Sequence, residues 1–318
     1  MDAFPAASFE VAESEPAWLA FRRQGIGSSD TPAILGAPGA HRSAYEIFYD
    51  KLGIDGLPPD AKTADLMAWG RILEAPILQR FEAVSGCEVL HLPRWHGYVS
   101  RVHPWLRATL DALAFREDRL GPGVVEVKWA PFTDPDDALR PSYQAQHQHQ
   151  LAAVGAAWGI IVVLARTELV SFEQDRHEGF ITALIPYLDD WWRKVERREA
   201  PEPDGSPGTL AAILARFPVP TPGYIKPLPD EMLACDAARQ DALAQAKKWE
   251  AVADAEKARI VEAIGEAEAG VLADGTVFLW RLRKRAGHIV SPGEYRDLRR
   301  RPGPLDLSGL LETLHPLK

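Results

Sequence analysis

Between Val124 and Trp129 the chain lodges a carboxylate and an ammonium two residues apart in a β-branched run, Val124-Val125-Glu126-Val127-Lys128-Trp129. A strand sends alternate side chains to the same face, so Glu126 and Lys128 point together while Val125 and Val127 point the other way. A charged pair inside such a run is rarely an accident of surface chemistry. Upstream stands Ala108-Thr109-Leu110-Asp111-Ala112, separated from the pair by the turn-rich Gly121-Pro122-Gly123. If Asp111 lies on a neighbouring strand, two hard oxygen ligands and one ammonium converge on one spot. That is the donor set of a magnesium site for phosphodiester hydrolysis. Taken alone, the same residues also describe a cross-strand ion pair on an exposed face.

Four further segments stand in order around this unit. Arg22-Arg23-Gln24-Gly25-Ile26-Gly27-Ser28-Ser29-Asp30, followed by Thr31-Pro32-Ala33-Ile34-Leu35-Gly36, lies upstream; Met67-Ala68-Trp69-Gly70-Arg71-Ile72-Leu73-Glu74 comes next. After the Asp…Glu-x-Lys unit stand Pro141-Ser142-Tyr143-Gln144-Ala145-Gln146-His147-Gln148 and Asp190-Trp191-Trp192-Arg193-Lys194-Val195. Each is weak alone, and the five in order resemble the YqaJ-type viral recombinase nucleases, relatives of lambda exonuclease within the PD-(D/E)XK superfamily. The resemblance covers roughly residues 15–200.

Each segment also has a physical reading. Ser28, Ser29, Asp30 and Thr31 are helix N-cap residue types, and Pro32 suits a first helical position. A helix starting there offers free N–H groups and a positive dipole end to a phosphate; alone it also reads as a plain cap. The resemblance implies that this serine turn and a preceding arginine hold the 5′-phosphate of DNA, Ser29 and Arg23 being the nearest matches. The Arg22/Arg23 and Ser28/Ser29 doublets leave each assignment open by one residue. Glu74 opens a run with helical apolar spacing at Ile77, Leu78 and Phe81. By resemblance it reaches the metal or its waters beside Asp111 and Glu126.

His147-Gln148-His149 invites a metal reading, but in a helix residues two apart lie about 200° apart around the axis. Tyr143, Gln146, His147 and Gln150 share a face. That face reads as a polar stripe along a DNA groove, and the resemblance assigns DNA contacts to Tyr143 and Gln146.

With 46% hydrophobic and 25% charged residues the chain is ordinary for a soluble globular protein. No apolar run approaches a membrane span, and the acidic start Met1 to Glu15 is no signal peptide. Cys87 and Cys235 argue against a disulfide scaffold and fit a reducing cytoplasm. The net charge of −9 counts against a nucleic-acid partner, but the patch that meets phosphates matters more than the total. Between Arg281 and Arg301 eight basic residues face only Glu294 and Asp297, a candidate contact strip or a solvated basic face.

The expected architecture is an α/β, PD-(D/E)XK restriction-endonuclease-like core with a mixed central sheet flanked by helices, plus a C-terminal helix and β-hairpin appendage. Strands are predicted at 89–92, 98–102, 106–115, 124–129, 160–165 and 168–173, and a helix at 179–198. The continuously apolar Ile160-Ile161-Val162-Val163-Leu164 suits a central strand covered on both faces. The tryptophans, spread mostly singly, read as core. Domain limits are predicted as a nuclease domain at 1–200, a proline-rich linker at 201–229 and an accessory region at 230–318. In the last, a long helix broken near Gly265 leads to a hairpin at Asp274-Gly275.

Together these imply a magnesium-dependent exonuclease, with manganese as substitute, that resects one strand of linear double-stranded DNA. Asp111, Glu126 and Glu74 would hold the metal, and Lys128 would polarise the attacking water. From the resemblance alone come 5′ to 3′ polarity, a trimeric ring around DNA and a single-strand annealing partner in phage-type recombination. The alternatives are a related endonuclease or CRISPR-associated nuclease, or a non-catalytic DNA-end-binding protein. Two distant cysteines exclude an iron–sulfur version, and the intact Asp111, Glu126 and Lys128 argue against a decayed site.

Overall fold

The computed structural model describes residues 3–54, 58 and 60–282, and the chain divides into two units, Met1–Pro218 and Val219–Lys318. The first begins with β1 (Ala7–Val11), α1 (Glu15–Arg23), β2 (Ile26–Gly27), α2 (Thr31–Ile34), α3 (Ala44–Lys51) and α4 (Ala61–Ser85). Five strands follow: β3 (Glu88–His91), β4 (His96–Ser100), β5 (Leu106–Ala108), β6 (Ala112–Phe115) and β7 (Gly123–Ala130). Then come α5 (Pro141–Val154), β8 (Trp158–Ala165), β9 (Glu168–Asp175), α6 (Glu178–Arg197) and α7 (Pro207–Arg216). The second unit holds α8 (Glu231–Ile264) and a hairpin of β10 (Ala269–Val271) and β11 (Val277–Leu279).

The main sheet has the order β3-β6-β7-β8-β9. Only β7 and β8 run parallel, in the register Glu126↔Ile161 and Lys128↔Val163; the other pairs are antiparallel. This is the mixed sheet flanked by helices that the sequence predicts. A parallel pair needs a crossover, and α5 provides it. On one face Val125, Ile160 and Val162 pack with Ile77, Leu78 and Phe81 of α4. On the other, Ile161 and Val163 pack with Tyr143, and Val124 with Leu151 and Val154, all three from α5. With a helix on each face, β8 has no polar side, which explains its unbroken apolar run.

The stretch 106–115 is not one strand. Leu106–Ala108 joins a second sheet, β1-β4-β5-β2, and Ala112–Phe115 joins the main one. The chain changes sheets across Thr109, Leu110 and Asp111, so local ladder bonds are lost and side chains replace them. His149 Nε2 donates to the Arg107 carbonyl (2.9 Å), Gln150 Nε2 to the Thr109 carbonyl (3.0 Å), and the Leu110 amide to His96 Nε2 (3.3 Å). Asp111 sits in this bend, immediately before β6 and beside β7.

Other limits differ from the sequence reading. α4 runs unbroken from Ala61 through Gly70 and Pro76, so Glu74 lies mid-helix. Residues 207–216 of the expected linker form α7, packed on α3 with Thr209 and Ala212 buried. The prolines that suggested a flexible tether include Pro207 in the first turn of this helix, a position proline favours. Of the tryptophans, Trp158 and Trp191 are buried, whereas Trp69, Trp249 and Trp280 are exposed. In the second unit α8 stops at Gly265, and the hairpin turns at Gly275 with φ +86°, where glycine avoids a Cβ clash. The basic strip beyond Leu282 lies outside the described residues. Among the described residues no helix is long and apolar enough to cross a membrane.

Gly159 lets α5 lie against the parallel pair. A Cβ there would overlap the Val124 carbonyl oxygen and sit 2.5 Å from His147 Nε2. Gly159→Ala is therefore expected to cost about 1–3 kcal/mol, the usual range for overpacking, read as a lowered midpoint in chemical denaturation.

Candidate active site

Glu126 and Lys128 emerge from β7 toward α5, as the strand alternation requires. Glu126 is 3% exposed, and each of its oxygens has a partner. Lys128 Nζ lies 2.6 Å from Oε1, to which Gln146 Nε2 also donates (2.6 Å), and Gln150 Nε2 donates to Oε2 (2.5 Å). Lys128 donates in turn to Gln146 Oε1 (3.0 Å), and its ammonium stands 5.3 Å from the centre of the Tyr143 ring. Gln146 and Gln150 are one helical turn apart, so a single face of α5 grips the carboxylate. Of the face read as a groove-lining stripe, Tyr143, His147 and Gln150 are buried inside the protein, while Gln146 is only partly buried. His147 and His149 bond to Val124 and Arg107 respectively and share no site.

Asp111 reaches the same place from the bend, its Oδ2 accepting from the Val127 amide at 2.6 Å. Burial pushes its pKa well above the usual carboxylate range, and the charges of Glu126 and Glu74 push it further. Glu74, on α4, is raised by burial and then by Glu126. Burial alone would lower Lys128, but the Glu126 charge and hydrogen bond outweigh it and hold the ammonium protonated. Three carboxylates thus repel one another around a single cation. Among the described residues no three carboxylate, imidazole or thiol groups are gathered tightly enough to hold an ion by themselves. Asp111 and Glu126 offer two hard oxygen donors in an acid-rich pocket, a set that fits a divalent cation completing its shell with water or phosphate.

Ser28 and Ser29 line a cavity of about 150 Å³ together with Arg22, Arg107, Asp111, Glu126 and Gln146. Arg22 Nη2 donates to Ser29 Oγ (2.9 Å), and its guanidinium lies 5.0 Å from the Trp18 ring. Of the arginine doublet, Arg22 lines this cavity, whereas Arg23 lies 3.6 Å from Asp50. The helix after the serines corrects a second expectation: α2 is a single turn of four residues with no side-chain cap bond from Asp30, too short for a dipole to matter.

Asp30 instead anchors the turn from within. It is 1% exposed and accepts from the Gly27 amide (3.0 Å) and from Lys51 Nζ (2.6 Å), with Arg22 at 3.7 Å and Arg42 at 3.9 Å. Burial alone would raise its pKa, yet Lys51 and the two arginines outweigh that and drive it far down. Thr31 donates to His149 Nδ1 (2.6 Å); because His149 Nε2 must donate to a carbonyl, the neutral ring serves both bonds. Burial holds His149 near a pKa of about 4. Lys51 and Arg42 escaped the sequence reading, which also gave His149 and Gln150 no part in holding Asp30 or Glu126. The Tyr143-to-Gln150 spacing held the signal for Gln150, whereas nothing local marks Lys51.

Residues 17–157 match the family model of the YqaJ-like viral recombinase domain. YqaJ of Bacillus subtilis (strain 168) is 27% identical over 214 residues, covering 64% of this chain and 64% of that protein, under two thirds of its length. Among solved structures, the alkaline exonuclease LHK-Exo from Laribacter hongkongensis is similar with a TM-score of 0.45 and 17% identity, covering 57% of this chain and 92% of that one. SSO0001 is similar with a TM-score of 0.33 and 15% identity, over 66% of this chain and 96% of that one.

Lys51→Met would leave Asp30 buried without its closest counter-charge. Breaking a buried pair from one side costs about 3–5 kcal/mol, so the unfolding free energy from denaturant titration is expected to fall by that amount. A change under about 1 kcal/mol would mean that Arg22 and Arg42 suffice.

Proposed function

This chain carries a YqaJ-like viral recombinase domain over residues 17–157, and on that premise we propose that it is a divalent-metal-dependent exodeoxyribonuclease. Its substrate would be an end of linear double-stranded DNA, resected along one strand from 5′ to 3′. The observation that carries this reading is one cavity lined at once by Arg22, Ser28 and Ser29 and by Asp111, Glu126 and Gln146. A site of that composition can hold a terminal phosphate on its cationic side while the next phosphodiester meets the carboxylates.

Asp111 and Glu126 would hold Mg²⁺, with Mn²⁺ as substitute, and Glu74 would act from α4 through its charge. A bound divalent ion would supply Lewis-acid stabilisation and a more acidic water. Lys128, kept protonated by Glu126, would orient the attacking water and neutralise charge growing on the phosphate oxygens. Gln146, bonded to both side chains, would fix their relative position. Tyr143 would back the Lys128 ammonium with its ring. The resemblance also carries, as proposals, a trimer closed around DNA, a single-strand annealing protein as partner, phage-type recombination as the setting and the cytoplasm as location.

Digestion of linear duplexes with 5′-phosphate or 5′-hydroxyl ends, alongside closed circles, tests the reading in Mg²⁺. Phosphorylated ends are expected to be degraded faster, and circles to survive. Arg22→Ala should shrink the end preference about ten- to a hundredfold, the effect of one charge-assisted hydrogen bond of about 1.5–3 kcal/mol. Arg23→Ala should leave the preference in place. Ready cutting of circles, with indifference to the end phosphate, would point to an endonuclease instead.

Lys128→Ala is expected to keep the fold and the affinity for DNA while turnover falls about a hundredfold or more, as when a preorganised charge is lost at a transition state. Single-turnover cleavage at wild-type rate would remove Lys128 from the chemistry.

A further inference from the structure

Gln150 stands behind Glu126 at 0% exposure and is not among the side chains lining the cavity. Its Nε2 donates to Glu126 Oε2 at 2.5 Å and to the Thr109 carbonyl at 3.0 Å. Both partners are acceptors, which fixes the nitrogen end of the amide. Thr109 lies two residues ahead of Asp111 in the bend between β5 and β6. One amide therefore ties the segment bearing the first carboxylate to the second carboxylate itself. The Val127 amide closes the same ring from the other side by donating to Asp111. Gln150 Oε1 is buried without a donor, an unsatisfied acceptor of the kind that usually marks a functional constraint or a water position.

We infer that Gln150 is a positioning residue, setting the separation at which Asp111 and Glu126 meet a divalent cation; the inference rests on the metal-dependent reading of this site. A carboxylate free to rotate, or a bend free to shift, would present the two donors at varying distance. An ion would then have to order them on binding. Partners that orient metal ligands from behind commonly carry a ten- to hundredfold share of the affinity. Neighbouring Gln148 provides an internal control. It is also buried on α5, but its amide bonds to the Asp175 carbonyl (2.9 Å) and the His177 amide (2.8 Å), away from the carboxylates.

The experiment is calorimetric titration of Mn²⁺ into the full-length protein without DNA. Gln150→Met is expected to weaken Mn²⁺ binding about ten- to a hundredfold, whereas Gln148→Met, though it lowers the melting temperature, leaves the affinity at the wild-type value. Unchanged affinity in Gln150→Met, or equal weakening in both variants, would overturn the inference. If Gln150→Met does not fold, Gln150→Asn replaces it with the same expectation, its amide being one methylene too short to span both acceptors. Mn²⁺ binding that persists undiminished in Asp111→Asn would overturn the metal site itself and this inference with it. Binding that needs Asp111 but ignores Gln150 would overturn this inference alone.

Discussion

The passage of one chain segment from the second sheet into the first, across Thr109, Leu110 and Asp111, is the constraint from which the site follows. A strand that leaves one ladder before joining another has backbone groups with no neighbours of their own, and buried groups of that kind are seldom left unpaired. Here α5 and His96 fill the gap with side chains. The helix must therefore lie close over β7, and that proximity brings Gln146 and Gln150 onto Glu126. Asp111 occupies the bend because a residue there, freed from strict alternation, can turn toward the adjacent strand.

Charge is handled differently on the two sides of the cavity. Lys51 pairs with the buried Asp30 and Arg42 is shared with Glu46 and Asp50, so beside the two serines the charges lining the cavity are those of Arg22 and Arg107. Around Lys128 the excess is negative, and Asp111 and Glu74 are both driven toward protonation. A desolvated carboxylate cluster of this kind takes up a proton or a further cation. The contrast sets cationic side chains on one side of the cavity and carboxylates on the other. It also accounts for a negative net charge being compatible with a nucleic-acid reading, since the local sign matters within a Debye length.

Much of this was legible in the sequence because it rests on short-range rules. Period-two alternation put Glu126 and Lys128 on one face, and the apolar run of β8 announced a strand covered on both sides. The helical wheel separates His147 from His149, and they bond to different carbonyls. What stayed hidden depends on tertiary context. The break in 106–115 leaves no mark, since Thr109 and Leu110 suit a strand as well as a bend. Lys51, twenty-one positions from Asp30, looks like any lysine closing a helix. That Arg22 and not Arg23 is among the side chains lining the cavity depends on which side of α1 faces inward. Glu74 was placed by resemblance, and the structure brings its charge, not its side chain, to the cavity lining.

The last of these context effects concerns where the first unit ends. Composition suggests a border near residue 200, yet α7 lies beyond it and is joined to α3 by polar contacts. Thr209 Oγ1 and Ser43 Oγ are hydrogen-bonded (2.9 Å), and Arg216 Nη1 donates to the Tyr45 hydroxyl (2.5 Å). Helix α3 ends in Lys51, which secures Asp30 and through it the turn bearing both serines. A fragment cut at the proline-rich border would uncover Ser43 and Tyr45, loosening the support beneath the serine-lined cavity some 180 positions earlier in the chain. The boundary of the folding unit is thus drawn by what the pocket leans on, and a minimal excised version would have to extend to Pro218.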